Sequence, residues 1–129
     1  MAPWDAAVID VGSNSVRLVF YRVEGRTVWT VFNEKILAGL GRDLAITGRL
    51  SPGGIEAALA ALRRFSALVA AAAPDRVFAV ATAAARDAED GPAFCRRVRA
   101  ETGLDLRVLT GEQEARYSAL GVIAGAPGS

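Results

Sequence analysis

The stretch Ala7-Val8-Ile9-Asp10-Val11-Gly12-Ser13-Asn14-Ser15-Val16-Arg17-Leu18-Val19 constrains this chain more than any other. An apolar run ends in Asp-x-Gly-Ser-Asn-Ser and a second apolar run follows at once, so the segment reads as strand, tight turn, strand. Gly12 can take φ > 0 and admits a ligand close to the main chain. Ser13, Asn14 and Ser15 are small, leave successive N–H groups accessible and add donors of their own. Such a turn can cradle an oxyanion. Asp10, where the first strand runs out, faces the turn and could hold Mg²⁺ directly or through water. A plain hairpin turn with a solvated aspartate fits the same pattern.

The chemistry open to the chain is narrow. It has no histidine and a single cysteine, Cys95. A structural zinc site and Ser-His-Asp or Cys-His catalysis within the chain are therefore excluded, leaving carboxylates, arginines, hydroxyls, amides and a hard metal. Lys+Arg number 15 against 14 Asp+Glu, for a net charge of +1. That lacks the excess of a nonspecific polyanion binder, so any anion site is local and nucleic acid is not an expected partner. The hydrophobic share of 52% is swollen by alanine, as in Ala70 to Ala73 and Ala83 to Ala85. No apolar stretch reaches the roughly 18 residues that span a bilayer, and no signal-like opening is read, so the expectation is a cytoplasmic protein with no membrane partner.

After the opening hairpin of about Asp5 to Val23, Glu24-Gly25-Arg26 leads to a third strand, Thr27 to Phe32, completing an antiparallel meander. The glycine-bearing segments Ala38 to Asp43 and Ile46 to Leu50 read as an ordered connector bordering a site. Ser51 caps a helix with Pro52 at its first position; Ile55, Leu59, Leu62, Phe65 or Ser66, and Val69 recur at helical spacing until Pro74. Arg76 to Ala81 suits a buried strand. A helix from Pro92 to Thr102 ends at Gly103, its Arg96, Arg97 and Arg99 reading as a solvated face. Leu106 to Leu109 is a fifth strand, followed by one helical stretch from Glu112 to Val122. The order is β-β-β-α-β-α-β-α, the last two strands parallel through helical crossovers.

Folded this way, the Asp10 to Ser15 turn, the Thr82 to Ala88 segment and the Gly111 to Arg116 segment converge, since ligands sit beyond the carboxyl ends of parallel strands. Thr82 brings a hydroxyl and Arg86 a planar, permanently charged fork suited to phosphate. Glu112 and Glu114 stand at a strand-to-helix junction. Two plainer readings stay open here: glutamates favour any first helical turn, and Arg86 could pair with Asp87 or Asp90.

At this point the chain resembles a known family. The motifs are Val8-Ile9-Asp10-Val11-Gly12-Ser13-Asn14-Ser15-Val16-Arg17-Leu18; Leu40-Gly41 with Thr47-Gly48-Arg49-Leu50-Ser51; Ala81-Thr82 with Ala85-Arg86-Asp87-Ala88; Thr102-Gly103; and Gly111-Glu112-Gln113-Glu114-Ala115-Arg116-Tyr117. Together they resemble the amino-terminal lobe of the exopolyphosphatase and guanosine pentaphosphate phosphatase (Ppx/GppA) family, over about Ala6 to Val122. The resemblance implies an α/β, ribonuclease H-like lobe of the actin-like ATPase superfamily, with a five-stranded mixed sheet flanked by helices. It implies hydrolysis of a terminal phosphoanhydride in inorganic polyphosphate or guanosine pentaphosphate with Mg²⁺. Glu114 takes the place of the family's catalytic carboxylate and Arg86 that of its phosphate-binding arginine. Gly12, Ser13, Asn14, Ser15 and Thr82 complete the expected phosphate site, and Asp10 is the expected metal ligand.

Two departures from the family pattern stand out. Ala83-Ala84-Ala85 lacks the second hydroxyl common after the Thr82 position, and no Asp-x-Gly-Gly-Gly-Ser loop follows the last helix. Residues 1–124 are thus read as a first lobe, inactive alone, and residues 125–129 as a linker or the start of a missing second lobe. A homodimer is a further expectation. The rivals are an actin-like ATPase or sugar kinase lobe and a non-catalytic phosphate- or nucleotide-binding module. A ribonuclease H-like nuclease is disfavoured, because Thr82 stands where its two-metal site needs an acid.

Overall fold

Residues 2–125 are described by a computed structural model. β1 (Trp4–Val11), β2 (Ser15–Glu24) and β3 (Thr27–Leu37) form the antiparallel meander. Pairing of Val11 with Val16 back to Trp4 with Val23 fixes which side chains share a face. Ala7, Ile9, Val11, Val16 and Leu18 enter one core, while Ala6, Val8, Val19, Tyr21 and Val23 enter another on the opposite face. β1 is apolar on both sides because it is the central strand.

The sheet runs in the order β3-β2-β1-β4-β5. β4 (Arg76–Ala81) lies parallel to β1, and β5 (Arg107–Val108) parallel to β4. With helices packed on it, this is the five-stranded mixed α/β sheet expected from the order of the elements. The main core lies under α2 (Pro52–Ala72) and α4 (Gly91–Thr102), where Leu59, Leu62, Phe65, Phe94 and Val98 meet Ile9 and Leu18. Each such fully buried side chain is worth about 1.5–3 kcal/mol. Ser51 caps α2 by accepting from the Gly54 N–H at 3.4 Å, and Ala73 closes it in the left-handed region at φ 47° before Pro74. Arg97 bridges the two helices, bonding Glu56 on α2 at 2.7 Å and Glu101 on α4 at 2.6 Å; part of the expected solvated face is thus an ion-pair seam.

The structure departs from the sequence reading in five places. β3 runs on to Leu37 instead of ending at Phe32, since β2 offers a partner as far as Ser15 and Ile36 packs against the main core. The connector holds one helical turn, α1 (Leu44–Thr47), closed by Gly48 at φ 71°. The segment after β4 coils into α3 (Ala83–Asp87). β4 is buried only at Val80 and Ala81, with Val77 44% exposed, because the two-residue β5 pairs with nothing before Val80. The single last helix is two, α5 (Gly111–Arg116) and α6 (Ala119–Ala124), separated where Tyr117 turns extended (ψ 131°) and Ser118 caps α6 through the Gly121 N–H. Residues 126–129, read with Gly125 as a linker, lie outside the described residues.

Two neighbouring glycines at the start of α2 have opposite surroundings. A methyl on Gly54 would stand 2.6 Å from the Gly39 carbonyl oxygen and 2.7 Å from Leu40 Cα, whereas one on Gly53 meets nothing within 4 Å. Gly54→Ala should therefore lower stability by about 1–3 kcal/mol, while Gly53→Ala changes it by less than about 1 kcal/mol. Urea midpoints of the two variants check this; equal effects would contradict the packing of the 38–42 loop on α2.

Candidate functional site

Residues 12–14 make the turn between β1 and β2. The Gly12 N–H donates to the Ser15 carbonyl at 2.9 Å, so this amide is spent inside the turn. Nor does Gly12 have positive φ: its place in the turn rests on small size, and a Cβ there would only touch the Ser15 oxygen at 3.4 Å. Two other turn carbonyls are also spoken for. Asn14 O accepts from the Ala38 and Gly39 N–H groups at 3.0 Å each, and Ser13 O from the Gly41 N–H at 2.8 Å. The N–H groups of Ser13 and Asn14 have no partner among the described residues, and both residues are exposed. Acceptors engaged and donors left over make a turn that favours an anion.

Backbone hydrogen bonds carry the next two segments to its side. The Thr82 N–H donates to the Val11 carbonyl at 3.1 Å, and the Leu109 N–H to the Ala81 carbonyl at 2.9 Å. The nearly buried Thr82 side chain lies with Oγ1 3.5 Å from the same Val11 oxygen. From α3, Arg86 reaches back over the strand ends: Nη1 donates to the Leu109 carbonyl at 3.2 Å and to Glu114 Oε2 at 2.9 Å. Its Nε and Nη2 donate to Asp87 at 3.0 and 3.3 Å. Of the two plain pairings foreseen for Arg86, the one with Asp87 forms; Asp90 instead accepts the Leu50 N–H at 2.9 Å.

Glu114 is aimed by the start of α5. Thr110 and Gln113 form a reciprocal capping box, with Gln113 N–H to Thr110 Oγ1 at 3.1 Å and Thr110 N–H to Gln113 Oε1 at 3.0 Å. Glu112 points away to an exposed pair with Arg116 at 2.9 Å, and Glu114 faces Arg86. The plain reading, acids favouring a first turn, thus describes Glu112 better than Glu114.

Asp10 is on the sheet face opposite α2, half-buried at the end of β1 and paired across the ladder with Arg17. Burial pushes its carboxyl above the ordinary range; the Arg17 charge opposes this and that of Glu114 adds to it. Asp10 and Glu114 therefore share one electrostatic neighbourhood. No group of three or more His, Cys, Asp or Glu side chains among the described residues could hold a metal ion. A cation there would draw on Asp10 together with oxygens of a ligand and of water.

Sequence reasoning passed over two residues beside Asp10. A recess of about 280 Å³ is lined by Asp10, Arg17, Tyr21, Thr30, Asn33 and Tyr117, with Val8 and Val19. Arg17 Nη1 lies 3.5 Å from Asn33 Oδ1. Tyr117 Oη is buried without a protein partner among the described residues, and burial and the nearby Asp10 charge push its pKa well above the usual phenol range. Counting across the turn would have placed Arg17 opposite Asp10. Tyr117 turns inward only because the last helix breaks.

The model of the Ppx/GppA phosphatase family matches residues 18–129. The chain is similar to exopolyphosphatase 1 of Mycobacterium tuberculosis, 31% identical over 116 residues, covering 89% of this chain and 34% of that protein. It is 33% identical to exopolyphosphatase 2 of the same species, covering 98% of this chain and 44% of that protein. Among solved structures, the Aquifex aeolicus member of the Ppx/GppA family superposes with a TM-score of 0.86 at 36% identity, covering 94% of this chain and 40% of that one. The chain thus spans less than half the length of each of these relatives.

The raised Asp10 pKa has a measurable consequence for stability. Below the ordinary carboxylate range Asp10 is protonated folded and unfolded, so it costs nothing; above its raised folded value the ionised carboxylate destabilises the fold in full. Asp10→Asn should raise the melting temperature at pH 7 in EDTA, with the gain fading toward about pH 3. A loss at pH 7, or a gain independent of pH, would contradict this electrostatic picture.

Proposed function

The chain belongs to the Ppx/GppA phosphatase family, and from that premise we propose that it is the phosphate-gripping lobe of an enzyme that hydrolyses the terminal phosphoanhydride of inorganic polyphosphate or guanosine pentaphosphate. The observation that carries the reading is Arg86, bonded at 2.9 Å to Glu114 and standing at the strand ends beside a turn with unspent amides. Phosphoryl transfer needs little from a protein beyond positioning and charge stabilisation, and these groups are suited to both.

In the proposed reaction the N–H groups of Ser13, Asn14 and Ser15, with the side chains of Ser13, Asn14 and Thr82, hold the phosphoryl oxygens. Gly12 serves by leaving the turn uncluttered. In the ligand-free chain Arg86 is shared between Asp87 and Glu114. An arriving phosphate competes for the guanidinium and frees Glu114 to orient a water in line with the scissile P–O bond. Glu114 accepts the proton of that water as its oxygen bonds to phosphorus. The bridging P–O bond breaks, its electron pair leaves with the shortened chain, and orthophosphate departs.

Asp10 fits Mg²⁺, because a half-buried carboxylate destabilised by burial and by Glu114 gains from a cation, and Mg²⁺ is commonly held by one carboxylate plus phosphate and water oxygens. When bound, Mg²⁺ would neutralise charge on the phosphate chain. Turnover is proposed to need a second lobe, the relatives being more than twice as long as this chain. That lobe would close a site that is open here, Ser13 and Asn14 being exposed.

Malachite-green phosphate release from polyphosphate with Mg²⁺ tests the reading on these 129 residues and on a chain extended through a relative's second lobe. The extended chain should turn over, and the short chain should release at least about 100-fold less. In the extended chain Glu114→Gln should cut turnover by about 10²–10⁴ while polyphosphate affinity stays within about threefold. Undiminished turnover in Glu114→Gln would remove Glu114 from the role, and robust release by the short chain would refute the need for a second lobe.

A further inference from the structure

The loop of residues 38–42 does more than border the turn. Three backbone hydrogen bonds pin it there, from Ala38 and Gly39 to Asn14 O and from Gly41 to Ser13 O, and the Arg42 N–H closes it by donating to the Gly39 carbonyl at 3.1 Å. It is also wedged from behind: a Cβ on Gly41 would lie 3.1 Å from Ser13 Cβ and 3.2 Å from Ala84 Cβ, so turn, loop and α3 meet at one point.

The Arg42 side chain folds back over the loop. Gly39 is left-handed at φ 70°, and a Cβ there would stand 2.6 Å from Arg42 Nη2 and 3.2 Å from its Nε. Only glycine both adopts that φ readily and leaves room for the guanidinium. The guanidinium stands at a recess of about 350 Å³, lined by Ser13, Asn14, Leu37, Ala38, Gly39, Gly41 and Arg42 itself. Among the described residues no acid lines this recess. Arg49, Arg64, Arg86 and Arg97 each pair with a carboxylate; Arg42 pairs with none among the described residues. An unneutralised fork thus stands beside two residues of the turn whose amides are unspent.

We propose that Arg42 forms a second anion subsite, contiguous with the turn, for a phosphate of a polyphosphate chain other than the one Arg86 holds. The proposal rests on the phosphate reading of the turn and adds to it a contact that only an extended polyanion can use. A guanidinium suits such a subsite because its charge does not vary with pH and its planar donors match two phosphate oxygens. The Ser13 and Asn14 side chains in the same recess offer further donors. An orthophosphate in the turn leaves the subsite unused; a tripolyphosphate spans both.

Calorimetric titration of the 129-residue chain with orthophosphate and with tripolyphosphate, at fixed ionic strength, tests the subsite. Arg42→Gln should weaken tripolyphosphate binding by about 5- to 20-fold and leave orthophosphate binding unchanged. Arg26→Gln, the same loss of charge in the β2–β3 turn at the far end of the meander, should change neither. Unaltered tripolyphosphate affinity in Arg42→Gln, an equal loss for both ligands, or an equal loss in Arg26→Gln would each overturn the subsite. If the unmodified chain binds neither ligand, the phosphate reading falls and the subsite with it; if it binds both and Arg42→Gln matches it, the subsite alone falls. Superimposable thermal melts establish that the variants fold.

Discussion

Two backbone hydrogen bonds, Thr82 N–H to Val11 O and Leu109 N–H to Ala81 O, hold this site together. They continue the parallel ladder one step past the ends of β4 and β5, and Val11, Ala81 and Val108 lie side by side. Whatever follows each strand must then emerge at the same edge. A turn with unspent amides follows the first, α3 with Arg86 the second, and α5 with Glu114 the third. Shifting either ladder by one residue would turn every side chain of that strand to the opposite face, which two apolar cores forbid.

That scaffold carries charges the fold alone would not select. Burial disfavours the charged form of Asp10, and among the described residues Tyr117 buries a hydroxyl without a partner and Arg42 stands without a carboxylate. On the helices, Arg97 pairs with Glu56 and Glu101, and Arg64 with Glu34 at 2.6 Å. Unpaired or penalised groups gathered at one end of the sheet are what a binding site looks like when its ligand supplies the missing partners. Membership of the Ppx/GppA phosphatase family agrees with a ligand built of phosphates.

Much of this was legible in the residues because the signals were local. β4 begins at Arg76 and ends at Ala81 as its apolar run suggests, and Ser51-Pro52 marks the start of α2. The convergence of Arg86 and Glu114 followed from strand order alone, since two parallel crossovers return the chain to the same end of the sheet. What stayed hidden depended on neighbours distant in sequence. The length of β3 is decided by β2, and the exposure of Val77 by the brevity of β5. Tyr117 faces Asp10 only because Ser118 restarts the helix. Gly12 was expected to supply an unusual φ, yet among the described residues the left-handed glycines are Gly25, Gly39, Gly48 and Gly103. Arg42 sits in a segment without periodicity, where only the fold-back over Gly39 reveals its direction.

In the proposed function, phosphate is gripped by the unspent amides of the turn and by Arg86. Amide and arginine-side-chain resonances of the ¹⁵N-labelled chain, followed during titration with tripolyphosphate and Mg²⁺, test it residue by residue. The largest shifts should fall on the N–H groups of Ser13, Asn14 and Ser15 and on Arg86 Nε, with Gly12, already bonded to Ser15, moving less. Shifts centred on Arg96 and Arg99 of α4, with residues 13–15 unmoved, would contradict it.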